Sequence, residues 1–148
     1  MALTFKSDKA LLIAEIGNNH EGDFQVAKDL VHAACEAGVD AVKFQTFRTE
    51  HYVSQRDTQR FERLRSFELK PEQFAALADL THTLGLFFIS TPFDLQSARL
   101  LAEIADGIKI ASGDNTFFPL LKDVAQSSLP LILSSGLAQW EELEKSVD

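Results

Sequence analysis

The chain has 148 residues, 45% hydrophobic, 24% charged and 9% aromatic, with 7 Gly and 4 Pro, which excludes collagen and the hydrophobe-poor composition of disordered chains. A net charge of -8, from 14 Lys plus Arg against 22 Asp plus Glu, repels a polyanion, and the basic residues gather only over 56–70, where Glu62 and Glu68 intervene, so nucleic acid is not an expected partner. Cys35 is the sole cysteine, which leaves no internal disulfide; with no apolar stretch near the roughly 18 residues of a membrane helix and Glu15 breaking the first apolar run, a cytoplasmic, non-membrane location is expected.

Residues 11–16 form an apolar run of strand length. Over 24–37 the apolar residues recur at spacings of three and four, the pattern of an amphipathic helix, and Gly38 follows as its C-terminal cap. A second strand is expected at 41–47. The polar, charge-rich segment 49–69 is too long for an ordinary strand-to-helix link, and reads as an insertion above the sheet: a substrate-facing loop with a short helix, or a solvated excursion. Pro71 suits the first turn of a helix over 71–84, which Gly85 ends. Strands at 86–90, 107–111 and 129–134 then alternate with helices at 95–105 and 117–126, and a last helix begins near Gln139.

Most of these runs are continuous, as in strands buried on both faces, and the strand–helix alternation predicts an α/β fold with a parallel sheet and right-handed crossovers. Each unit takes about 30 residues, the pace of a (βα)8 barrel of about 250 residues. Two architectures fit: an open doubly wound sheet of five strands, or the first part of a barrel.

In both, ligands bind at the carboxyl ends of the strands. Polar residues cluster at each of the five: Glu15, Gly17, Asn18, Asn19 and His20; Lys43, Gln45 and Thr46; Ser90, Thr91 and Asp94; Lys109, Ser112, Gly113 and Asp114; Ser134, Ser135 and Gly136. Lys43 and Gln45 share parity and project to one face, while Val42 and Phe44 project to the other. A lysine in a buried strand needs a partner, either Glu15 or Asp40 as an ion pair, or an anionic ligand. With Lys109 in a similar setting, the pair resembles a phosphate or carboxylate cradle. Glu15 reads as a general acid or base, a binder of a substrate hydroxyl, or the partner of Lys43. His32 and His82 fall in helical patterns, and the four histidines have no metal-ligand spacing.

The strings AEIGNNHEGD (14–23), AGVDAVKFQTF (37–47), FISTPFD (88–94), IKIASGDNTFFPLL (108–121) and LILSSG (131–136) resemble, in order and spacing, the N-acetylneuraminate synthase family. The resemblance implies a TIM barrel, of which residues 1–148 supply the first five βα units. It further implies condensation of phosphoenolpyruvate with an N-acylated amino sugar such as N-acetylmannosamine, giving a nonulosonic acid and phosphate. Legionaminic, pseudaminic or spore-coat sugars are the alternatives within that chemistry, and a non-catalytic anion-binding half-barrel is the alternative outside it.

Matched to the family's motifs, Lys43, Gln45, Thr91, Lys109, Ser112, Ser134 and Gly136 are expected to bind phosphoenolpyruvate, and Glu15 to act at the reacting centre. Asn18, Asn19, His20 and Asp114 are further candidates. Ser135 replaces a common Thr, and Thr116 and Phe117 stand where several relatives have asparagines that contact substrate, which bears on the sugar preference. The family implies Mn2+ or Mg2+, with histidine ligands on later strands outside this sequence, an antifreeze-like C-terminal domain and a homodimer.

Overall fold

A computed structural model describes Leu3 and residues 10–147. The apolar runs form five strands, β1 (Ile13–Gly17), β2 (Ala41–Thr46), β3 (Phe87–Pro92), β4 (Gly107–Ile110) and β5 (Leu131–Leu133). All pair in parallel in the order β1-β2-β3-β4-β5. A doubly wound sheet reverses its strand order at a switch point, whereas a barrel adds each strand beside the last, so this order is that of a barrel's first five units.

The helices are α1 (Phe24–Glu36), α2 (Thr49–Tyr52), α3 (Thr58–Phe67), α4 (Pro71–Thr83), α5 (Leu95–Ile104), α6 (Phe118–Ala125) and α7 (Trp140–Val147), with a 3-10 turn at Ser112–Asp114. Aspartates start three of them: Asp23 accepts from the amides of Gln25 and Val26, Asp57 from Arg60 and Asp94 from Ser97. Each satisfies amide donors that have no partner inside the helix. The 49–69 segment, expected as a substrate-facing loop with a short helix or as a solvated excursion, holds two helices. The third strand runs two residues beyond its expected end because Thr91 and Pro92 continue the register with Gln45 and Thr46.

Alternation along the strands divides the side chains. Val42, Phe44, Phe88, Ile108 and Ile110 pack with Ala27, Val31, Leu77, Leu101, Leu120 and Val124 of the helices in the main core. The opposite, helix-free face begins with a small apolar layer of Leu3, Ala41 and Ile89, joined by Ile13, Phe87 and Ile132. Fully burying one such side chain contributes about 1.5–3 kcal/mol. Beyond this layer, towards the carboxyl ends, the same face turns polar.

Candidate active site

Register fixes the polar layer. Glu15 lies opposite Lys43, Gln45 opposite Thr91, and Lys109 opposite Ile132. The Lys43 ammonium is 2.6 Å from Glu15 Oε2 and donates to Thr91 Oγ1 at 3.3 Å, so one buried cation spans three strands. The Glu15 side chain is 54% exposed and that of Lys43 only 10%. The carboxylate therefore opens towards solvent while the ammonium is held beneath it.

A bulge lies between Glu15 and Gly17, where Gly17 takes φ +55. The turned chain carries Asn18 across to β2, where its Nδ2 donates to Gln45 Oε1 at 2.8 Å. Asn18 Oδ1 is buried with no partner among the described residues. An acceptor left so is expensive in a folded core and is suited to receive a donor from a ligand or water.

Burial pushes the Lys109 ammonium below the usual lysine value, the charge of Lys43 pushes it the same way, and Glu15 opposes them. Two cations and one carboxylate thus share a face, which leaves an excess positive charge for an anion. Burial raises the carboxyl of Asp114, in the 3-10 turn after β4.

Of the residues expected to form the site, Glu15, Lys43, Gln45, Thr91 and Lys109 are gathered on the helix-free face, and Asn18 joins them through Gln45. Ser134 follows β5, its amide bonded to Ile110 O at 3.2 Å. Ser112 and Gly136 meet each other, since a Cβ built on Gly136 would lie 3.4 Å from Ser112 Cβ. The Gly136 carbonyl is turned to Asn115 Nδ2 at 2.9 Å and is engaged with the scaffold.

Two candidates stand apart from this group. Asn19 is exposed in the turn after β1, its amide bonded to Ile16 O. His20 is buried and packs against Phe44 of the main core, with ring centroids 6.1 Å apart. Its Nδ1 accepts from the Gly22 amide at 3.0 Å, and burial lowers its pKa, so the ring is neutral and Nε2 carries the proton. Of the remaining histidines, His51 Nδ1 lies 3.9 Å from Asp94 Oδ1, His82 Nε2 is bonded to Asp106 Oδ2 at 2.8 Å, and His32 is exposed.

Three residues support these loops: Asp94, expected only as one of the polar strand-end residues, and Glu68 and Asn115, for which the sequence offers no role. Buried Asp94 accepts from the Arg48 amide and from both the amide and hydroxyl of Ser97, tying the end of β3 to the segment after β2. Glu68 accepts from Arg48 Nη1 and from the amide and hydroxyl of Thr49, closing the insertion on itself. Asn115 holds Gly136. An aspartate just before a helix is a readable cap signal, whereas nothing local marks Glu68 or Asn115.

The family resemblance implies a divalent metal, but among the described residues no three His, Cys, Asp or Glu side chains are grouped to hold an ion. The donor set among the described residues does not fit a metal on its own. Among the described residues no helix is long and apolar enough to cross a membrane.

A model of the NeuB family matches residues 30–148. A protein of Methanocaldococcus jannaschii is 41% identical over 143 residues, 96% of this chain and 42% of that protein. The N,N'-diacetyllegionaminic acid synthase of Legionella pneumophila is 39% identical over 151 residues, 93% of this chain and 42% of its own length. The crystal structure of N-acetylneuraminic acid synthetase from Leptospira borgpetersenii in complex with citrate superposes with a TM-score of 0.88 at 30% identity, covering 99% of this chain and 54% of that one. The chain thus spans about 42% of the length of these curated relatives.

Proposed function

The chain belongs to the NeuB family, and from that membership we propose that it forms the first five βα units of a barrel synthase that condenses phosphoenolpyruvate with an N-acylated amino sugar. The products are a sialic acid-type nonulosonic acid and phosphate. The observation that carries this reading is the convergence of Lys43, Lys109, Thr91, Gln45 and Glu15 on one face at the strand ends.

Phosphoenolpyruvate carries a phosphate and a carboxylate, and Lys43 and Lys109 supply fixed counter-charges, with Thr91, Gln45, Ser112 and Ser134 as donors around them. Carbon three attacks the aldehyde carbon of the sugar, the carbonyl oxygen takes a proton, and positive charge develops at carbon two. Water adds there and loses a proton, and collapse of the tetrahedral centre expels phosphate with cleavage of the C–O bond. Glu15, half-exposed and anchored by Lys43, stabilises the cationic carbon or takes the proton from the attacking water. In this reading the complete protein is a homodimer, and any Mn2+ or Mg2+ it uses is held by residues other than the described ones.

The test is phosphate release from phosphoenolpyruvate by the complete protein, offered N-acetylmannosamine and then diacetylated amino sugars, with product masses recorded. Sugar-dependent release that is lost in Lys43→Ala and Lys109→Ala variants is expected. Binding of phosphoenolpyruvate without turnover, under any sugar or divalent ion, would overturn the synthase reading in favour of an anion-binding half-barrel. The 39% identity to a legionaminic acid synthase favours a second sugar, a diacetylated precursor of legionaminic acid.

A further inference from the structure

We propose that Asn115 is a positioning residue: it clamps the loop after β5 so that the hydroxyls of Ser134 and Ser112 meet the same anion. The inference rests on the phosphoenolpyruvate reading above for the identity of that anion, and on geometry for the clamp itself. Asn115 is 2% exposed, directly after the 3-10 turn that carries Ser112. Its Nδ2 donates to the carbonyl of Gly136 at 2.9 Å, and its own carbonyl accepts from Ser146 Oγ of α7 at 2.6 Å. One buried side chain therefore joins the β4 loop to the β5 loop, while its backbone joins both to the last helix.

The joined loop is held in a costly shape. Leu137 has φ +64, a conformation that a side chain with a γ-branch rarely adopts. The Leu137 side chain is 89% exposed, so its own burial does not hold that conformation. The carbonyl of Gly136 and the amide of Leu137 share one rigid peptide plane. A hydrogen bond that fixes the carbonyl also fixes the plane about which Leu137 is turned.

Asn115 Oδ1 is buried with no partner among the described residues. A leucine would fill the same volume with no unmet acceptor. An amide that keeps one oxygen unsatisfied in order to deliver one N–H is suited to placing the loop and poorly suited to filling space. The consequence reaches the site because Gly136 is packed against Ser112, where even a methyl group would touch its Cβ, and because Ser134 lies two residues before Gly136.

The experiment uses the complete protein with Asn115→Leu, which keeps the volume and removes the donor, and with Asn115→Ala. Both are read by KM for phosphoenolpyruvate, KM for the sugar, and amide hydrogen exchange over residues 134–138. Loss of one buried hydrogen bond to the loop should raise the phosphoenolpyruvate KM about tenfold and leave the sugar KM within about twofold. Exchange over 134–138 should quicken in both variants. Leu137→Gly, which relieves the positive φ, should recover part of the loss when combined with Asn115→Leu, a non-additivity that a merely structural residue would not show.

Unchanged exchange and an unchanged phosphoenolpyruvate KM in Asn115→Leu would overturn the proposal, as would equal changes in both KM values with no local quickening. If the wild-type protein turns over no phosphoenolpyruvate, the synthase reading fails separately, and the clamp is then read from exchange and from calorimetric affinity for inorganic phosphate. A fall in that affinity in Asn115→Leu supports the clamp, and an unchanged affinity overturns it.

Discussion

Glu15 and Lys43 face each other across the β1–β2 register, with 2.6 Å between carboxylate oxygen and ammonium, yet their side chains are 54% and 10% exposed. The pair is therefore asymmetric. In Lys43→Met the orphaned carboxylate can take up water, so the melting temperature should change little, while anion binding and turnover fall by about a hundredfold or more, the scale of a lost charge-stabilising donor. In Glu15→Gln a buried ammonium keeps only the hydroxyl of Thr91 and an amide, which should cost about 1–2 kcal/mol. Thermal melts of the two variants decide the matter. A larger loss of stability in Lys43→Met than in Glu15→Gln would contradict this account.

Partial burial and the nearby charge of Lys43 hold the Lys109 ammonium below the usual lysine value, with Glu15 opposing them. A bound phosphate or carboxylate favours its charged form, so binding takes up a proton once the pH exceeds the free-state pKa. Phosphoenolpyruvate affinity should thus weaken on the alkaline side at a lower pH than an unperturbed lysine would require. In the free protein the sign is opposite: charging Lys109 costs stability, and that penalty fades as pH rises through its lowered pKa. Calorimetric affinities measured against pH should show the early loss in the wild type and its absence in Lys109→Arg, whose guanidinium stays charged.

Glu68 is pushed up by burial, but the amide and hydroxyl of Thr49 and the guanidinium of Arg48 outweigh this and leave its carboxyl below the usual value. A depressed carboxyl contributes stability that is present above its unfolded pKa and is lost as pH falls through the folded one. Glu68→Ala should loosen α2 and α3 and cost about 1.5–3 kcal/mol at neutral pH, the scale of hydrogen bonds to a charged group. The difference from wild type should shrink in acid. Faster amide exchange at Thr49 is the local readout, and an unaltered rate there would count against the anchoring role.

Gly22 takes φ +85 where the turn after β1 passes the end of α3, and a Cβ there would lie 1.9 Å from the carbonyl oxygen of Ser66. Neither the turn nor the helix can yield cheaply, since both partners are backbone. Gly22→Ala should cost about 3 kcal/mol or more through strain and displaced backbone. A melting temperature within about a degree of wild type would show that the two segments separate readily.

The strand faces were legible in the sequence because parity needs only neighbouring residues: Lys43 and Gln45 alternate with Val42, Phe44 and Thr46, and the structure divides them accordingly. The barrel order of the strands was not legible from alternation alone, since short crossovers suit two architectures, and it came into view through the five motifs together. His20 sits among polar residues in sequence, yet the Gly22 amide and the Phe44 ring hold it in the core. The clamps by Glu68 and Asn115 span 19 to 21 residues, a separation at which no local pattern signals a contact.

The interleaving of Val42, Lys43, Phe44 and Gln45 also bears on how such a protein can change. Because one parity packs the helices and the other lines the open face, a substitution at Gln45 or Thr91 leaves Phe44 and Phe88 in their contacts. The open-face positions can therefore change one at a time while the residues between them go on packing the helices. Sliding β2 by a single residue would do the reverse, turning Lys43 into the helix-packed core and Phe44 onto the open face at once. Selection can vary the side chains of this surface one by one, but it has almost no room to explore register.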